Sequence, residues 1–313
     1  MAIAISVIIS THERPDHLRR AVEALLRQTA KPAELIIVND GLADLDMSLA
    51  VRVVEARIDL TYRLMDRPSL TASRNAGVDL ATGDVVLLLD DDVLAPPDYL
   101  QRLGGLYEAD GRGVIAGIGG VLVPTQAPRW PNRLWARIAR ATAENRWGPR
   151  RCAARYARLP AALVGELEPA KRLSGGAISL RTAVARRFRF EERFHGYGLG
   201  EDTQLSFRLT QALAIYRATR LRLLHEQAPG GRPDPSRRGR MYAANMLHIY
   251  HWSTEGGAGT ALLLGLHLVS LWAMSVAWSL ATWRRGNARF AGGMAGELVR
   301  KAWAWARSVL CGR

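Results

Sequence analysis

Cysteine is almost missing from this chain of 313 residues, which contains only Cys152 and Cys311. The two are far apart and neither belongs to a C-x-x-C pair, so a disulfide framework is excluded and a reducing compartment is expected. Lysine is nearly as rare, because it supplies only three of the 43 basic side chains. Arginine-rich segments therefore partly reflect a GC-rich coding sequence.

A secretory signal is also missing at the start of the sequence. Residues 2–10 are apolar, but no basic region precedes them and they run directly into the polar THERP segment. This pattern predicts a buried strand rather than a leader peptide.

Charge is distributed unevenly along the chain, whose formal net charge is +14. Residues 1–120 contain 12 basic and 18 acidic side chains, whereas residues 121–313 contain 31 basic and 11 acidic ones. A basic half is typical of proteins that bind nucleic acid. Here it is also rich in tryptophan and apolar runs, a mixture that equally fits an anionic membrane surface.

The first 120 residues alternate between strand and helix patterns. Short β-branched runs predict strands, and Leu18, Val22, Leu25 and Leu26 share one face of a helix with Pro15 in its first turn. The predicted elements are a strand at 3–10, a helix at 14–28, a strand at 34–39, a helix at 71–80 and a strand at 84–89. This alternation predicts an α/β fold with a parallel sheet, in which ligands bind beyond the carboxyl ends of the strands.

Three aspartates, Asp90, Asp91 and Asp92, end the most apolar of these strands. Carboxylates concentrated at a sheet edge are costly unless a cation neutralises them. Hard oxygen ligands of this kind suit Mg²⁺ or Mn²⁺, which proteins commonly share with substrate phosphates. The alternative is a solvated acidic turn, or a helix N-cap at Asp92.

Two further segments place carboxylates where a ligand would bind. Asp40 follows the strand at 34–39 and could accept hydrogen bonds from a base or a ribose. Glu201 and Asp202 follow the glycine-rich segment 196–200, and glycines let a backbone pass close to a ligand. A carboxylate at that point can act as a general base, but helix N-terminal capping explains the same pair equally well.

Several segments taken together resemble a known family. They read SVIISTHERPDHLRRAVEALLRQ, ELIIVNDGL, SRNAGVDLATGDVVLLLDDDVLAPPDYL and GGAISLRTAV…FEERFHGYGLGEDTQLSFRL, within residues 3–226. In order and spacing they resemble the family 2 inverting glycosyltransferases of GT-A fold, in the bacterial, non-processive type. The resemblance implies a Rossmann-like, mixed and mainly parallel sheet flanked by helices.

The resemblance implies donor-binding roles for the matching residues. The nucleotide-sugar contacts would be Thr11, Glu13, Asp40, Arg74, Asp90, Asp91, Gly175 and Gly176. Among them Asp40 would meet the base, Arg74 the diphosphate, and Asp90 the ribose or sugar. The two glycines would line the sugar and acceptor site.

The resemblance also implies metal-binding and catalytic positions. Asp92 would be a direct ligand of Mg²⁺ or Mn²⁺ and His225 a further one, although a lone histidine is more often structural. Asp202 would be the catalytic base and Glu201 its acidic companion. The base would deprotonate an acceptor hydroxyl, which attacks the anomeric carbon from the face opposite the leaving diphosphate and inverts it.

The sequence departs from the family pattern at two places. The usual VDDGS segment is VNDGL here, with Asn39 and Leu42, which leaves the preference between UDP- and GDP-sugars open. The Q-x-x-R-W signature of processive synthases is absent, which favours transfer of a single sugar.

The domain organisation expected from these patterns has three parts. A GT-A catalytic domain at 1–228 includes a Trp- and Arg-rich insertion at 125–172, expected to contact the acceptor or the membrane, or else to be a solvated lid. Residues 229–259 are expected to form a mobile basic loop and a linker helix. Residues 260–313 are expected to form hydrophobic and amphipathic helices that associate with the membrane.

Thr260–Trp283 is a run of 24 residues without a charge, about 36 Å long as a helix and so long enough to span a bilayer. Arg284, Arg285 and Arg289 follow it, which conflicts with the positive-inside tendency if the catalytic half is cytosolic. A helical hairpin or an in-plane helix avoids the conflict, and a buried core helix is the remaining alternative.

These observations predict a metal-dependent hexosyltransferase on the cytoplasmic face of the bacterial inner membrane. Its donor is expected to be a nucleotide sugar and its acceptor a polyprenyl-linked compound, a glycolipid or a glycan, with no nucleic-acid partner. Two other functions stay open. One is a nucleotidyltransferase of the same fold, which would not need the GYGLGED segment, and the other is a non-catalytic basic protein that binds nucleotides or nucleic acid.

Overall fold

The structure is a computed structural model that describes residues 2–42, 44–125, 149, 152–155, 157–228, 233–253, 258–282 and 285–310. The chain divides into two compact units. The first consists of Met1–Ala127 and Arg151–Gly231, and the second of Pro128–Arg150 and Arg232–Arg313. The three tryptophans of the predicted insertion, Trp130, Trp135 and Trp147, lie outside the described residues.

Within the described residues, nine strands of the first unit form one mixed sheet. They are β1 Ile5–Thr11, β2 Glu34–Asn39, β3 Asp59–Leu64, β4 Val85–Asp90, β5 Val93–Leu94, β6 Ile115–Pro124, β7 Leu167–Pro169, β8 Ala177–Arg181 and β9 Ala214–His225. Their order is β3-β2-β1-β4-β8-β6-β9-β5, with β7 paired to β9. Strands β3, β2, β1 and β4 are parallel to one another, and β8 runs antiparallel to β4 and β6. The predicted α/β architecture is confirmed.

The helices of this unit are α1 Pro15–Leu26, α2 Met47–Glu55, α3 Leu70–Leu80, α4 Tyr99–Glu108, α5 Thr182–Arg187 and α6 Glu201–Ala212. Helix α1 has Pro15 in its first turn and buries Leu18, Val22 and Leu25, as the apolar spacing predicted. The predicted helix at 71–80 and strands at 34–39 and 84–89 agree with α3, β2 and β4 to within one residue. Helix α2 and strand β3 were not predicted.

The core lies on both faces of the sheet because successive side chains of a strand point to opposite sides. On β1, Val7 and Ile9 belong to the cluster that includes Leu18 of α1, whereas Ile8 belongs to the cluster that includes Val78 of α3. Helices therefore cover both faces. This leaves the strand ends as the accessible edge of a buried parallel sheet.

Gly77 of α3 allows the close approach of this helix to β1. A Cβ atom at this position would lie 2.3 Å from Cγ2 of Ile8, well inside van der Waals contact. The helix that carries Arg74 is thereby held against the central strand of the sheet.

The second unit contains three helices within its described part, α7 Pro235–Ser253, α8 Ala258–Thr282 and α9 Arg285–Leu310. Helices α7 and α9 pack closely through Gly239 and Gly293, where an added Cβ would lie 2.0 Å from a carbonyl oxygen of the other helix. Within α8, the segment Ala261–Leu280 is apolar and long enough to cross a membrane, with a mean hydropathy of 1.8 and 28% of it buried.

Helix α7 begins at Pro235, early in the segment 229–259 that was expected to form a basic loop and a linker helix. The side chain of Asp234 accepts hydrogen bonds from the backbone N–H groups of Ser236 and Arg237, at 3.0 and 3.2 Å. Aspartate before a first-turn proline is a strong helix start. The abundance of Pro, Gly and Arg concealed this signal.

Candidate active site

The carboxyl ends of β1, β2 and β4 meet at one edge of the sheet. Ser10 of β1 lies opposite Asp90 of β4, and Thr11 lies opposite Asn39 of β2. Because these strands are parallel, the residues that follow them leave the sheet at the same edge. The segments predicted to contact the donor, including Asp40, are therefore brought together.

Asp40 is held by neighbouring groups on both of its carboxylate oxygens. Its Oδ1 lies 2.9 Å from Nδ1 of His12, and its Oδ2 accepts hydrogen bonds from the Ser69 backbone N–H at 2.7 Å and the Ser73 hydroxyl at 3.4 Å. Asp40 is 9% exposed, whereas the side chain of His12 is 41% exposed. The carboxylate predicted to meet the base thus orients an exposed imidazole.

Glu13 closes the loop that follows β2. Its backbone φ is +53°, and its Oε1 accepts a hydrogen bond from the backbone N–H of Leu42. Gly41 is required beside it, because an added Cβ would lie 2.7 Å from that same oxygen. The side chain of Asn39 accepts the backbone N–H of Gly41 at 2.8 Å and donates to the Tyr62 hydroxyl at 2.8 Å, which ties the loop to β3. Hydrogen bonds to Glu13 and Asn39 therefore hold the VNDGL segment, and Leu42 is 94% exposed.

Arg74 is a buried guanidinium that ties three elements together. One terminal nitrogen donates to Oε1 of Glu201 at 2.7 Å, and the other donates to Oδ1 of Asp90 at 2.8 Å and to the Gly175 carbonyl at 2.9 Å. The guanidinium also lies 5.2 Å from the ring centroid of Phe190. A cation only 2% exposed would be costly without these partners, and two carboxylates compensate it.

The three aspartates that follow β4 have different environments. Asp90 faces Arg74, and its side chain is 33% exposed. Asp91 is buried and accepts hydrogen bonds from the Thr11 hydroxyl at 2.8 Å and from Arg14 at 3.1 Å. Burial raises the pKa of Asp91 to about 6, although the charge of Arg14 opposes the rise. This geometry favours a role for Asp91 and Thr11 in fixing the loop.

Asp92 lies against the end of β9. Its Oδ1 is 3.4 Å from Nε2 of His225, and its Oδ2 accepts the Ala228 backbone N–H at 2.9 Å. Burial raises the pKa of Asp92, but the bonds and charges of His225, Ala228 and Arg14 outweigh it and hold the pKa below its usual value. Burial has the largest effect on the pKa of Asp90 and raises it. The charge of Asp92 raises this pKa further, and the charge of His225 lowers it.

Asp92 and His225 form a donor set that fits a divalent cation shared with a substrate. A carboxylate oxygen and an imidazole nitrogen suit Mn²⁺, and Mg²⁺ is commonly held by one or two carboxylates together with substrate phosphates. Within the described part of the chain, no group of three or more His, Cys, Asp or Glu side chains is placed to hold an ion.

Glycines with positive φ lead into α6. Gly196, Gly198 and Gly200 have φ values of +60°, +67° and +95°, a region that other residues rarely adopt. Gly200 is the N-cap of α6, so Glu201 and Asp202 form its first turn. The N-cap has no side-chain cap bond, but Oδ1 of Asp202 accepts the backbone N–H of Thr203 within this turn at 2.7 Å.

Glu201 and Asp202 are both 7% exposed, but neighbouring charges shift their pKa values in opposite directions. Burial and the charge of Asp202 raise the pKa of Glu201 to about 7, against the opposing effect of Arg74. Burial would also raise the pKa of Asp202. The charge and hydrogen bond of Arg172, the Gly175 N–H and the charge of Arg74 instead hold that pKa below its usual value.

Gly175 and Gly176 lie between these carboxylates, as a close backbone approach requires. A Cβ on Gly175 would be 3.2 Å from Oε1 of Glu201, and one on Gly176 would be 2.9 Å from Cδ1 of Leu122. The Gly176 carbonyl accepts the backbone N–H of Asp90 at 3.2 Å. Side chains at either position would close the space beside the acidic groups.

Three polar residues of this region were not assigned a role from the sequence. His12 and Arg14 belong to the THERP segment and could have been found there by their place after β1. Arg172, which bonds to Asp202 at 2.9 Å, follows no pattern in the sequence. Its contact joins residues 30 positions apart, and only the fold reveals it.

The fold is that of solved GT-A glycosyltransferases. The mannosyltransferase PcManGT from Pyrobaculum calidifontis, in complex with GDP-Man and Mn²⁺, superposes with a TM-score of 0.59 at 13% identity, over 95% of this chain and 88% of that one. S. aureus TarS 1–349 in complex with UDP gives a TM-score of 0.51 at 15% identity, over 85% and 71% of the two chains. The chain is thus a protein of GT-A glycosyltransferase fold.

Part of the chain also matches a sequence family within that class. Residues 6–156 match the family described as Glycosyl transferase family 2. A similar relative is the glucosyl-dolichyl phosphate glucuronosyltransferase of Haloferax volcanii, 34% identical over 133 residues, which are 41% of each protein. The chain matches less than half the length of this relative, and the putative glycosyltransferase EpsH of Bacillus subtilis is matched over 29% of its length.

Proposed function

We propose that this protein transfers one sugar from a UDP- or GDP-sugar to a hydroxyl of a lipid-linked or cell-envelope acceptor, with inversion at the anomeric carbon. The observation that carries the proposal is the buried Arg74, which joins Asp90 at a strand end to Glu201 at the start of α6. Arg74 thereby links the carboxyl edge of the sheet to the residue that precedes Asp202, which supports the proposal. The match to family 2 supports the same activity.

The donor would lie across the carboxyl ends of β1, β2 and β4. His12, oriented by Asp40, and the Glu13 loop would contact the nucleoside, and Arg74 would lie near the diphosphate. Asp92 and His225 would hold Mg²⁺ or Mn²⁺, which supplies positive charge beside a leaving diphosphate. Two solved proteins of this fold were bound to Mn²⁺, which supports the choice of cation.

Asp202 would act as the general base. Its carboxylate stays ionised at neutral pH because its pKa is held low. It would take the proton of the acceptor hydroxyl while the oxygen bonds to the anomeric carbon. The bond from that carbon to the diphosphate breaks on the opposite face, and the nucleoside diphosphate leaves with the electron pair. One displacement of this kind inverts the centre and needs no nucleophile from the protein.

The acceptor is proposed to be lipid-linked, at the cytoplasmic face of a bacterial inner membrane. The similar archaeal enzyme carries a dolichyl phosphate compound in its name. Helix α8 exposes large apolar side chains, including Leu262 at 64% and Val269 at 60%, which suit a lipid environment. The basic second half of the chain would add attraction to anionic lipids.

A donor panel tests the proposal. The purified protein is mixed with UDP- and GDP-sugars and Mg²⁺ or Mn²⁺, and release of nucleoside diphosphate is measured with a membrane-lipid extract as acceptor. We expect one donor to be consumed and its sugar to appear in the lipid fraction. Formation of pyrophosphate from a nucleoside triphosphate and a sugar phosphate would instead indicate a nucleotidyltransferase. Salt-sensitive DNA binding without donor consumption would remove the enzymatic proposal.

A matched pair of aspartates separates catalysis from folding in this assay. Asp202→Asn should abolish transfer, whereas Asp110→Asn should not. Both carboxylates are buried and accept hydrogen bonds from one arginine and from backbone N–H groups. Because their hydrogen bonds are similar, the two variants should lose a similar amount of folding stability. Asp110 lies before β6, away from the carboxyl edge of the sheet. Nucleoside diphosphate affinity, measured by calorimetry, should be retained in both.

A further inference from the structure

Asp202, the proposed base, has every hydrogen-bonding position of its carboxylate occupied. Its Oδ1 accepts the backbone N–H of Thr203 at 2.7 Å and the Thr203 hydroxyl at 3.3 Å. Its Oδ2 accepts the Arg172 guanidinium at 2.9 Å and the Gly175 backbone N–H at 3.0 Å. A carboxylate offers about four lone-pair sites, and all are used here.

A general base must itself accept a hydrogen bond from the hydroxyl that it deprotonates. In the observed arrangement no lone pair of Asp202 is left for an acceptor. One of the four present donors must therefore move aside before the reaction. The identity of that donor decides how the base becomes available.

Arg172 is the donor that can leave. Thr203 is 1% exposed and lies in the first turn of α6, so its two bonds turn Oδ1 into the protein. The Gly175 N–H belongs to backbone whose carbonyl is tied to Arg74. The side chain of Arg172 is 38% exposed and reaches Asp202 through a flexible aliphatic stem. Only this bond opens towards solvent.

A guanidinium released from Asp202 can pair with another anion. The groups whose charges act on Asp202 are Arg172, Arg74 and Glu201. Arg74 is already shared between two carboxylates. Burial and the charge of Arg155 lower the pKa of Lys171, next to Arg172, so Lys171 and Arg155 add positive charge to the segment that carries Arg172. A phosphate group brought by the acceptor would satisfy Arg172 through a bidentate, charge-assisted bond.

We propose, building on the glycosyltransferase function above, that Arg172 binds an anionic phosphate group of the acceptor and thereby releases Oδ2 of Asp202 as the base. Without an acceptor, Arg172 neutralises Asp202 and protects the donor from attack by water. With a phosphate-bearing acceptor, the guanidinium moves to the phosphate and the acceptor hydroxyl takes its place on Oδ2. The substrate class is therefore a hydroxyl compound that carries a phosphate monoester or diester near the reacting hydroxyl.

The first test measures hydrolysis of the donor by water in the absence of acceptor. Arg172→Met keeps the length of the side chain but removes its charge and its donors. We expect the variant to hydrolyse the donor several-fold faster than the wild type, because loss of the cation makes Asp202 a stronger base. The acidic limb of its pH profile should also move to higher pH. Arg217→Gln is the matched control, because Arg217 forms an exposed ion pair with Glu168 and should change neither rate nor profile.

The second test uses methyl phosphate as the probe for the acceptor's anion. Added at constant ionic strength against chloride, it should speed donor hydrolysis by the wild type several-fold and leave Arg172→Met unchanged. Arg172→Lys, which keeps a charge, should recover part of the response. A paired arm compares octyl glucoside with the matched octyl glucosyl phosphodiester, and the wild type should show a lower KM for the diester while Arg172→Met shows no preference.

The outcomes distinguish this inference from the function on which it rests. If the wild type consumes no donor under any condition, the proposed function fails and the Arg172 role fails with it. If donor is consumed but hydrolysis and transfer fall together in Arg172→Met, with an unchanged pH profile, Arg172 is only structural. Stimulation by methyl phosphate of equal size in the wild type and in Arg172→Met also overturns the inference.

Discussion

Replacing Glu201 by glutamine should remove part of the pH dependence of the free energy of unfolding. Burial and the charge of Asp202 raise the pKa of Glu201 from 4.5 to about 7 in the folded protein. The stability contributed by the protonated carboxyl is fully present below pH 4.5 and is lost as the pH rises through about 7. Glutamine is a neutral isostere that can still accept the bond from Arg74. It should therefore lack this loss.

The magnitude follows from the size of the shift. A rise from 4.5 to about 7, at about 1.4 kcal/mol per pKa unit, corresponds to roughly 3 kcal/mol. The free energy of unfolding of Glu201→Gln, minus that of the wild type, should therefore increase by about this amount from pH 4.5 to pH 7. Above pH 7 the difference should change little. The gain is a difference between two proteins, so titrating groups that do not interact with Glu201 cancel.

The assay must report on the first unit alone. All nine tryptophans lie outside its residues, so intrinsic tryptophan fluorescence does not follow its unfolding. Samples equilibrated in urea at each pH can be given a brief deuterium pulse at one fixed pH. Mass spectrometry of peptides from β1, β2 and β4 then gives the unfolded fraction and the free energy of unfolding.

Glu34→Gln is the matched control. Glu34 is also buried, at 7% exposed, but hydrogen bonds from Ser6, Thr82 and Gly83 outweigh burial and lower its pKa. Its contribution to stability is present above pH 4.5 and is lost only as the pH falls below that value. The stability difference of this variant should stay constant from pH 4.5 to pH 7. A constant difference for Glu201→Gln as well would refute the reasoning.

Three further predictions concern other parts of the molecule. Gly77→Ala should lower the free energy of unfolding of the first unit by about 1–3 kcal/mol in the same assay, because its Cβ would meet Ile8 at 2.3 Å; an unchanged value would contradict the close packing of α3. His225→Ala should weaken the Mn²⁺-dependent part of nucleoside diphosphate affinity, measured by calorimetry, about tenfold while leaving metal-free affinity unchanged; equal loss with and without Mn²⁺ would remove His225 as a ligand. Leu262→Asp combined with Val269→Asp should reduce sedimentation with anionic vesicles at least several-fold, whereas retained binding would place the membrane contact elsewhere.

The carboxyl edge of the sheet could be predicted from sequence because its signals are local. Strands β2 and β4 are short apolar runs that end in acidic residues, and their bounds were predicted to within one residue. Parallel pairing then requires Asp40 and Asp90 to reach the same edge. Periodicity also gave the buried face of α1.

Other features depend on contacts between distant residues, which no local pattern carries. The bonds of Arg172 to Asp202 and of Arg74 to Glu201 span 30 and 127 positions. Strand β3 was missed because its burial is partial and its polar residues break the apolar run. A linker helix was expected within residues 229–259, but its first residue was not predicted, because the cap of α7, Asp234, lies in a segment that reads as a loop.

The central claim is that Asp202 drives direct displacement at the anomeric carbon of a nucleotide sugar. Proton NMR of the anomeric signal tests it most directly, with an α-linked donor and the wild type, Asp110→Asn and Asp202→Asn proteins compared. The wild type and Asp110→Asn should form a β-linked product, and Asp202→Asn should leave the donor unchanged while still binding the nucleoside diphosphate. An α-linked product, or turnover by Asp202→Asn equal to that of Asp110→Asn, would contradict the account.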